Sequence, residues 1–494
     1  MARLVLLGVA ITECGWRGRR IPKNRADFMR ISVCRFFLLL LGILAAAVSG
    51  LAQTDPFQGS ANAGSPSAQP LSLSLDEALK MGLRYNLGGI NAEQSSQRAA
   101  GQSIAVRSAL YPNLNGNLRE NAQQIDLQSY GFNFKFPPNL GINIPSIVGP
   151  FNFFDLRAYL TQRIADLNAL RSYQSARQTQ RAAELTAADS REIVVYVVTA
   201  AYLQVIAESA RVDSVKVQVQ SAQAIFQQAS DRFTAGLNAK VDMTRSQVEL
   251  ETQQQRLTSE VAEFAKEKIA LARLIGLSPA QVFSLSDNMP YAPLDNISLE
   301  QALVLAAQNR SDLKAAEAQL HAAEYARKAA VAELYPTLGV TADYGVIGIN
   351  PANSHGTFDV SAQLQFPIWE GGRTHGDIVE ADAVLKQQRA EYENARSRVE
   401  ADVRDAYLDL NAAAELVRVA QSRRDLARDE LMQSTDRFAS GVADTVEVTQ
   451  AQEVVASAET EYIADLNAHN LAKASVARAI GEAEKIMRDL LRSQ

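Results

Sequence analysis

Four histidines, two cysteines and a set of acids are the side chains here that could carry chemistry. His321, His355, His375 and His469 are scattered along the chain. The closest approach to a zinc-binding helix, HAAEY at 321–325, lacks the second histidine of an HExxH ligand pair. Cys14 and Cys34 both fall in an N-terminal stretch that reads as a secretion signal. The mature chain therefore offers no thiolate for a metal, a disulfide or a nucleophile. No phosphate-binding glycine loop occurs. Gly371 and Gly372 follow a strand-like run and read as a strand-to-helix corner. No catalytic site, cofactor or metal is expected. What remains is a pair of acids beside a repeated glycine turn. The stretch 231–247, DRFTAGLNAKVDMTRSQ, recurs at 436–452 as DRFASGVADTVEVTQAQ, a shift of 205 residues. Each copy sets a glycine, Gly236 or Gly441, ahead of an acid, Asp242 or Glu447. At a helix start the dipole favours a carboxylate, so each acid also fits as an ordinary exposed helix-start residue.

The elements that hold these turns are helical. Residues 166–235 and 377–440 contain no Gly and no Pro and are rich in Ala, Gln, Arg, Glu and Leu, all good helix formers. A single helix over 166–234 is about 100 Å long at ~1.5 Å per residue. Gly236 and Gly441 break the runs as left-handed caps, and new helices are expected at 241–275 and 446–480. Each repeat thus holds an antiparallel hairpin. The same shift maps Tyr202 on Tyr407 and Gly276 on Gly481. Along the first long helix, Val194, Val198, Ala201, Val205, Glu208, Val212 and Val215 step by four and three, continuing to Phe233. Tyr196, Ala200, Leu203, Ala207 and Ala210 start a second seam, two residues offset or roughly 200° away at ~100° per residue. Seams on opposite sides require a neighbour on each side, like a stave in a tube wall.

The N-terminus is processed sequence. Residues 29–52 have Arg30 and Arg35, an apolar run from Phe36 to Val48 and small residues after it, the plan of a signal peptide. Residues 1–28 lack that plan and read as an upstream extension, with Met29 as initiator. Cys34 precedes the apolar run, so no lipid anchor is expected. Removing eight Lys/Arg and two Asp/Glu with residues 1–52 takes the formal charge from −6 to −12. Such a chain is a poor nucleic-acid binder. Residues 53–72 read as a disordered leader, 73–277 as repeat 1, 278–296 as an inter-repeat linker, 297–482 as repeat 2 and 483–494 as a charged tail.

Each repeat opens with a capping box, Ser74 with Glu77 and Ser298 with Gln301, and its helix is expected to run on to Leu-Tyr-Pro at 110–112 or 334–336. The period then switches to two. Leu338, Val340, Ala342, Tyr344 and Val346 alternate with small and polar residues, as do Phe358, Val360, Ala362 and Leu364, and Phe154, Leu156, Ala158 and Leu160. Leu114, Gly116 and Leu118 begin a weaker strand that fades after Arg119, leaving 120–153 as a long external loop. Strands of about ten residues, apolar on one face and charged on the other, fit a transmembrane barrel. Four strands cannot enclose water, and lipid forbids open edges. Three protomers supply twelve strands under cyclic symmetry.

These features together, over more than four hundred residues, resemble the TolC-type outer-membrane factors: the duplicated capped helix, LYP, paired strands, QFPIWEGGR at 365–373, and hairpin tips of R-F-x-x-G type. The resemblance implies a mainly α fold with a membrane β-barrel. Long antiparallel hairpins form a periplasmic tube, and four strands per protomer join a shared 12-stranded trimeric barrel. It implies a homotrimer in outer-membrane lipid that meets a periplasmic adaptor and an inner-membrane pump of RND or ABC type. By the same resemblance Gly236, Leu237, Gly441 and Val442 are the adaptor-docking tips. Glu447 matches an acidic ring at the pore constriction, grouped with Gln450 and Phe438, and Asp242 and Ala443 occupy gate-contact positions. Gln450 stands where a second acidic ring is usual, Ala443 where a gating arginine is usual, and Phe438 where a tyrosine is usual. Two function classes follow: an exit duct for efflux or type I secretion, and a structural coiled-coil envelope protein without transport. Amphipathic strand pairs between the helices favour the first.

Overall fold

A computed structural model of the chain describes residues 56–61, 69–132, 145–237, 239–287 and 298–490. The expected signal peptide and the extension before it lie outside the described residues. Helix α1 (Leu75–Tyr85) starts at a complete capping box: Ser74 Oγ accepts from the Glu77 amide, and the Glu77 carboxylate accepts from the Ser74 amide at 3.1 Å. Helix α2 (Leu87–Arg107) follows at once. The expected continuous helix is thus broken after eleven residues. Asn86 is the reason: its backbone is extended and its side chain caps the Gly88 amide at 2.9 Å, an alternative to helix that Asn takes readily. Repeat 2 breaks at the corresponding place, Arg310, between α5 (Leu299–Asn309) and α6 (Ser311–Ala332). There the Arg310 guanidinium holds Asp312 at 2.6 Å and Asp402 at 3.0 Å.

The glycine-free runs form α3 (Leu167–Thr234), 68 residues long, and α7 (Arg373–Ala439), 67 residues long. Asp166 caps α3 by accepting from the Ala169 amide at 2.9 Å. The return helices are α4 (Lys240–Ile275) and α8 (Thr445–Ala479). Helix α4 packs on α3, α8 on α7, and α8 also on α3, which joins the two hairpins into one four-helix layer. Val194, Val198, Val205, Glu208, Val212, Val215, Ala222 and Ala229 of the first seam are buried. The second seam is buried at Leu203 and Ala207, but Val217, nearer the tip, is exposed.

Short strands β1 (Leu71–Leu73) and β4 (Phe283–Leu285) pair in parallel, so the segments ahead of and between the repeats fold together. The leader is also ordered at 56–61. The Phe57 ring lies on Gly88, where a Cβ would come within 2.3 Å of it, and Asn86 donates to the Phe57 carbonyl at 2.8 Å. The expected charged tail is largely a helix, α9 (Ala483–Leu490), with Ala483 and Met487 fully buried. Glu192 of α3 receives the Ala483 amide at 2.7 Å, and Arg478 reaches Asp189 at 2.6 Å. Sequence pattern alone missed these segments because tertiary burial, not local propensity, orders them. Together α1, α9 and the β1–β4 pair form a second layer over the middle of α3, around Leu79, Val198, Tyr202 and Ile275. The Tyr202 hydroxyl donates to Asp287 at 2.7 Å, and burial together with that carboxylate pushes the phenol far above its usual range. Helix α8 carries a buried polar run, His469, Asn470 and Lys473. Burial lowers both titrating groups, Lys473 to about 8.

A second, four-stranded sheet is antiparallel throughout, in the order β2 (Asn113–Asp126), β3 (Ile147–Ala165), β5 (Thr337–Gly348), β6 (Ser354–Gln365). Strand β2 runs past the point where its alternation fades, and β3 begins well before Phe154, so the loop expected at 120–153 is shorter than the sequence suggested. Continued pairing, Glu120 with Phe154 through Asp126 with Ile147, extends both strands. A backbone ladder needs no alternation, because each residue supplies its amide and carbonyl whatever its side chain. Leu118, Leu156, Tyr344, Phe358 and Val360 share one exposed face. On the other face Arg157 binds Asp155 at 2.7 Å and Asp343 at 3.2 Å.

Candidate channel tip

The two glycine turns lie at the ends of α3 and α7. Gly236 has φ +70° and Gly441 φ +77°, with open space where a Cβ would stand, so backbone conformation and not crowding selects glycine. Each turn closes the same way. Gly236 and Leu237 amides donate to the Phe233 and Arg232 carbonyls at 3.0 and 2.9 Å; Gly441 and Val442 donate to Phe438 and Arg437 at 3.1 and 3.0 Å. This paired closure satisfies the last helical carbonyls. It leaves the apolar side chains of Leu237 and Val442 in solvent, 75% and 72% exposed.

Asp242 lies in the first turn of α4 and pairs with Arg245 at 3.6 Å. In the other hairpin Asp444 caps α8, accepting from the Val446 and Glu447 amides at 3.0 and 3.2 Å. Thr445 and Val448 of α8 are fully buried, while Glu447 and Gln450, one turn apart, share a less covered face. Glu447 is held by Arg437 across the turn, Nε to Oε1 at 3.1 Å. Ala443 contributes only its backbone, donating to the Arg437 carbonyl at 3.2 Å.

Phe438 departs from its expected place in the constriction. Its ring is fully buried, packed with Ile225 of α3 and Val448 of α8. An aromatic side chain at the junction of two hairpins gains more from that apolar cleft than from a water-lined pore. Arg232 covers it, its guanidinium 4.6 Å from the ring centroid, and donates to the Ala439 carbonyl at 2.8 Å. Arg232 and Arg437 were not singled out from sequence. The signal was there, since both precede the repeated Phe at the same shift of 205.

Among the described residues no three His, Cys, Asp or Glu side chains gather as a metal site would require. The family model for outer membrane efflux proteins matches residues 90–277 and 302–482. The chain belongs to the outer membrane efflux protein family. It is a family of outer-membrane efflux proteins, which places the chain in the outer membrane. This outer membrane efflux protein is 29% identical over 264 residues to protein CyaE of Bordetella pertussis, covering 51% of the chain and 55% of that protein. It is 24% identical over 322 residues to the toluene efflux pump outer membrane protein TtgF of Pseudomonas putida, covering 63% and 64%. It is 23% identical over 310 residues to the alkaline protease secretion protein AprF of Pseudomonas aeruginosa, covering 61% and 64%. The chain therefore spans 55–64% of the length of these relatives. Its fold is similar to the Campylobacter jejuni CmeC outer membrane channel, with TM-score 0.72 at 15% identity over 89% of this chain and 95% of that one. It is also similar to VceC of Vibrio cholerae, with TM-score 0.70 at 17% identity over 82% and 96%.

Proposed function

We propose that this chain is the exit duct of a tripartite efflux or type I secretion system, passively conducting substrates delivered by an inner-membrane pump through a periplasmic adaptor. One observation carries the reading. A sheet with a lipid-compatible face leads into two helices of about 100 Å at ~1.5 Å per residue, β3 directly into α3 and β6 through residues 366–372 into α7, and both layers end in open edges. Strands β2 and β6 pair on one side only. Below them α4 and α7 flank the helix layer. Val241, Val248 and Ile269 of α4 are exposed, as are Leu408, Leu416, Val419 and Leu426 of α7. Edges of this kind, apolar on both sides of one protomer, suit a closed ring, and three copies supply twelve strands. The relatives include both an efflux pump protein and a protease secretion protein, which supports a duct serving either machine type.

In this reading Gly236, Leu237, Gly441 and Val442 form the adaptor-docking tips. Glu447 is the acidic constriction with neutral Gln450 behind it. Asp242, with Ala443 at the facing turn, belongs to the gate. The test is the mass of the detergent-purified protein together with dye export from cells lacking their own duct. A trimer that restores export is expected; a stable membrane-inserted monomer would refute the duct.

A further inference from the structure

A cavity of about 670 Å³ lies between α2, α3 and α6 of one protomer. Arg107, Arg177 and Arg181 line it, together with Tyr173 and Tyr325. Among the described residues none of the three arginines forms an ion pair. Glu184 is the one carboxylate on the lining, and it accepts from Gln180 at 2.9 Å. The cavity is therefore locally cationic in a chain whose formal charge is −6. Guanidinium forks match phosphate oxygens in pairs, and tyrosine hydroxyls add donors.

Its level and its face both point to lipid. Tyr111, Tyr335 and Trp369 stand exposed at the junctions between strands and helices, where aromatic girdles mark a membrane surface. Arg107 lies against Tyr111, 5.6 Å from the ring centroid. Arg177 is ten residues into α3, about 15 Å below the strand end at ~1.5 Å per residue. The headgroup zone is of the order of 5–8 Å deep on each side of the hydrocarbon, so the α3 arginines start below it; helix side chains lean toward the N-terminus, here the membrane end, and long arginines reach back along that direction toward the headgroups. As for the face, Arg177 and Glu184 precede Val198 by three and two heptads, which keeps them on one side of a supercoiled helix. Val198 is where α1 packs: a Cβ on Gly82 would come within 2.6 Å of it. A duct must leave its lumen clear, so the layer containing α1 lies outside the tube, and the cavity opens on that same outer side.

We propose that this cavity binds a phosphate-bearing anion, with the headgroup of an anionic phospholipid in the periplasmic leaflet as its source. The excess of guanidinium over carboxylate selects a phosphodiester without a cationic amine beside it. The placement rests on the duct reading, but the readout below is independent of export.

The full-length protein in detergent would be titrated with phosphatidylglycerol, with phosphatidylcholine of the same acyl chains, and with inorganic phosphate, and bound species counted by native mass spectrometry. The wild type should retain phosphatidylglycerol about tenfold better than phosphatidylcholine, a difference of ~1.4 kcal/mol. The triple variant Arg107→Gln, Arg177→Gln, Arg181→Gln should lose that preference. All three side chains are exposed, so folding is not at stake. Arg404→Gln with Arg418→Gln, exposed arginines elsewhere, should keep the preference. Inorganic phosphate that binds alone and displaces the lipid would keep the anion site and assign it a soluble ligand. Equal retention of the two lipids without phosphate binding, or equal loss in both arginine variants, would overturn the proposal.

Discussion

The guanidinium of Arg232, at the end of the first long helix, lies 4.6 Å from the ring centroid of Phe438 at the end of the second. With its hydrogen bond to the Ala439 carbonyl it is a direct tie between the two hairpins at the tip. A cation–π contact near the surface contributes about 0.5–1 kcal/mol, and a hydrogen bond about 1 kcal/mol. Arg232→Ala should therefore loosen the tip without unfolding it, raising single-channel conductance in planar bilayers at unchanged oligomer mass. Phe438→Ala should go further, since truncating a buried aromatic costs about 3–5 kcal/mol. Its tip should become protease-sensitive near residue 440. Equal conductance for wild type and Arg232→Ala would remove the tie from the gate.

Arg437 and Glu447 make the opposite kind of pair, local and exposed, at 3.1 Å. Such pairs contribute roughly 0–1 kcal/mol and weaken with salt. In a ring of three copies, acidic side chains favour cations, and each Arg437 offsets one of them. Glu447→Gln should reduce cation preference, Arg437→Gln should increase it, and the double variant, which loses one charge of each sign, should return toward the wild type. Reversal potentials in a salt gradient check this. If Arg437→Gln shifts nothing at low salt, the arginine does not screen the ring.

Much of this architecture was legible because the sequence removes alternatives. Runs without Gly or Pro become α3 and α7, and duplicated glycines stop them at Gly236 and Gly441. What stayed hidden was decided by partners distant in sequence. Phe438 reads as a tip residue until Ile225 and Val448 arrive from two other helices to bury it. Phe57 looks like part of a disordered leader until Gly88 makes room for its ring. Strand β2 outlasts its own alternation because β3 supplies the ladder. Asn86 and Arg310 break helices that composition alone would continue, through one side-chain cap and one ion-pair cluster.

Leu426 on α7 and Val248 on α4 stand 67% and 59% exposed on opposite edges of the helix layer. If neighbouring protomers cover them, a charge at either position is buried without a partner. Leu426→Glu or Val248→Glu should then lower the trimer fraction in detergent, each costing on the order of 3 kcal/mol per interface. Gel filtration with light scattering reads the outcome. Unchanged trimer mass for both variants would place the contact elsewhere.

The positive φ at Gly236 and Gly441 makes both turns sensitive to any side chain, by about 1–2 kcal/mol for left-handed backbone. Gly236→Arg and Gly441→Arg should abolish export while trimers remain in the outer membrane, because bulk and charge at the tip oppose docking. Gly441→Asn, a residue that tolerates this region, should retain most export. Normal export by both arginine variants would exclude the tips as the docking site.

Lys473 gives a pH-dependent prediction. It is 2% exposed on α8, and burial lowers its ammonium to about 8. In the unfolded chain a lysine titrates near ~10.4. Below about 8 both states carry the proton, and the buried charge costs the folded state its full penalty. Between about 8 and ~10.4 the unfolded state binds more protons, so stability rises with pH through that window. The shift corresponds to a penalty of the order of 3 kcal/mol. Lys473→Met keeps the length of the side chain and removes the titration. Its guanidinium unfolding midpoint should exceed that of the wild type at pH 7. The gap should narrow steadily as both are measured from pH 8 to pH 10. A gap that stays constant over that range would mean that Lys473 does not titrate there, and that its surroundings hold the charged form as well as water does.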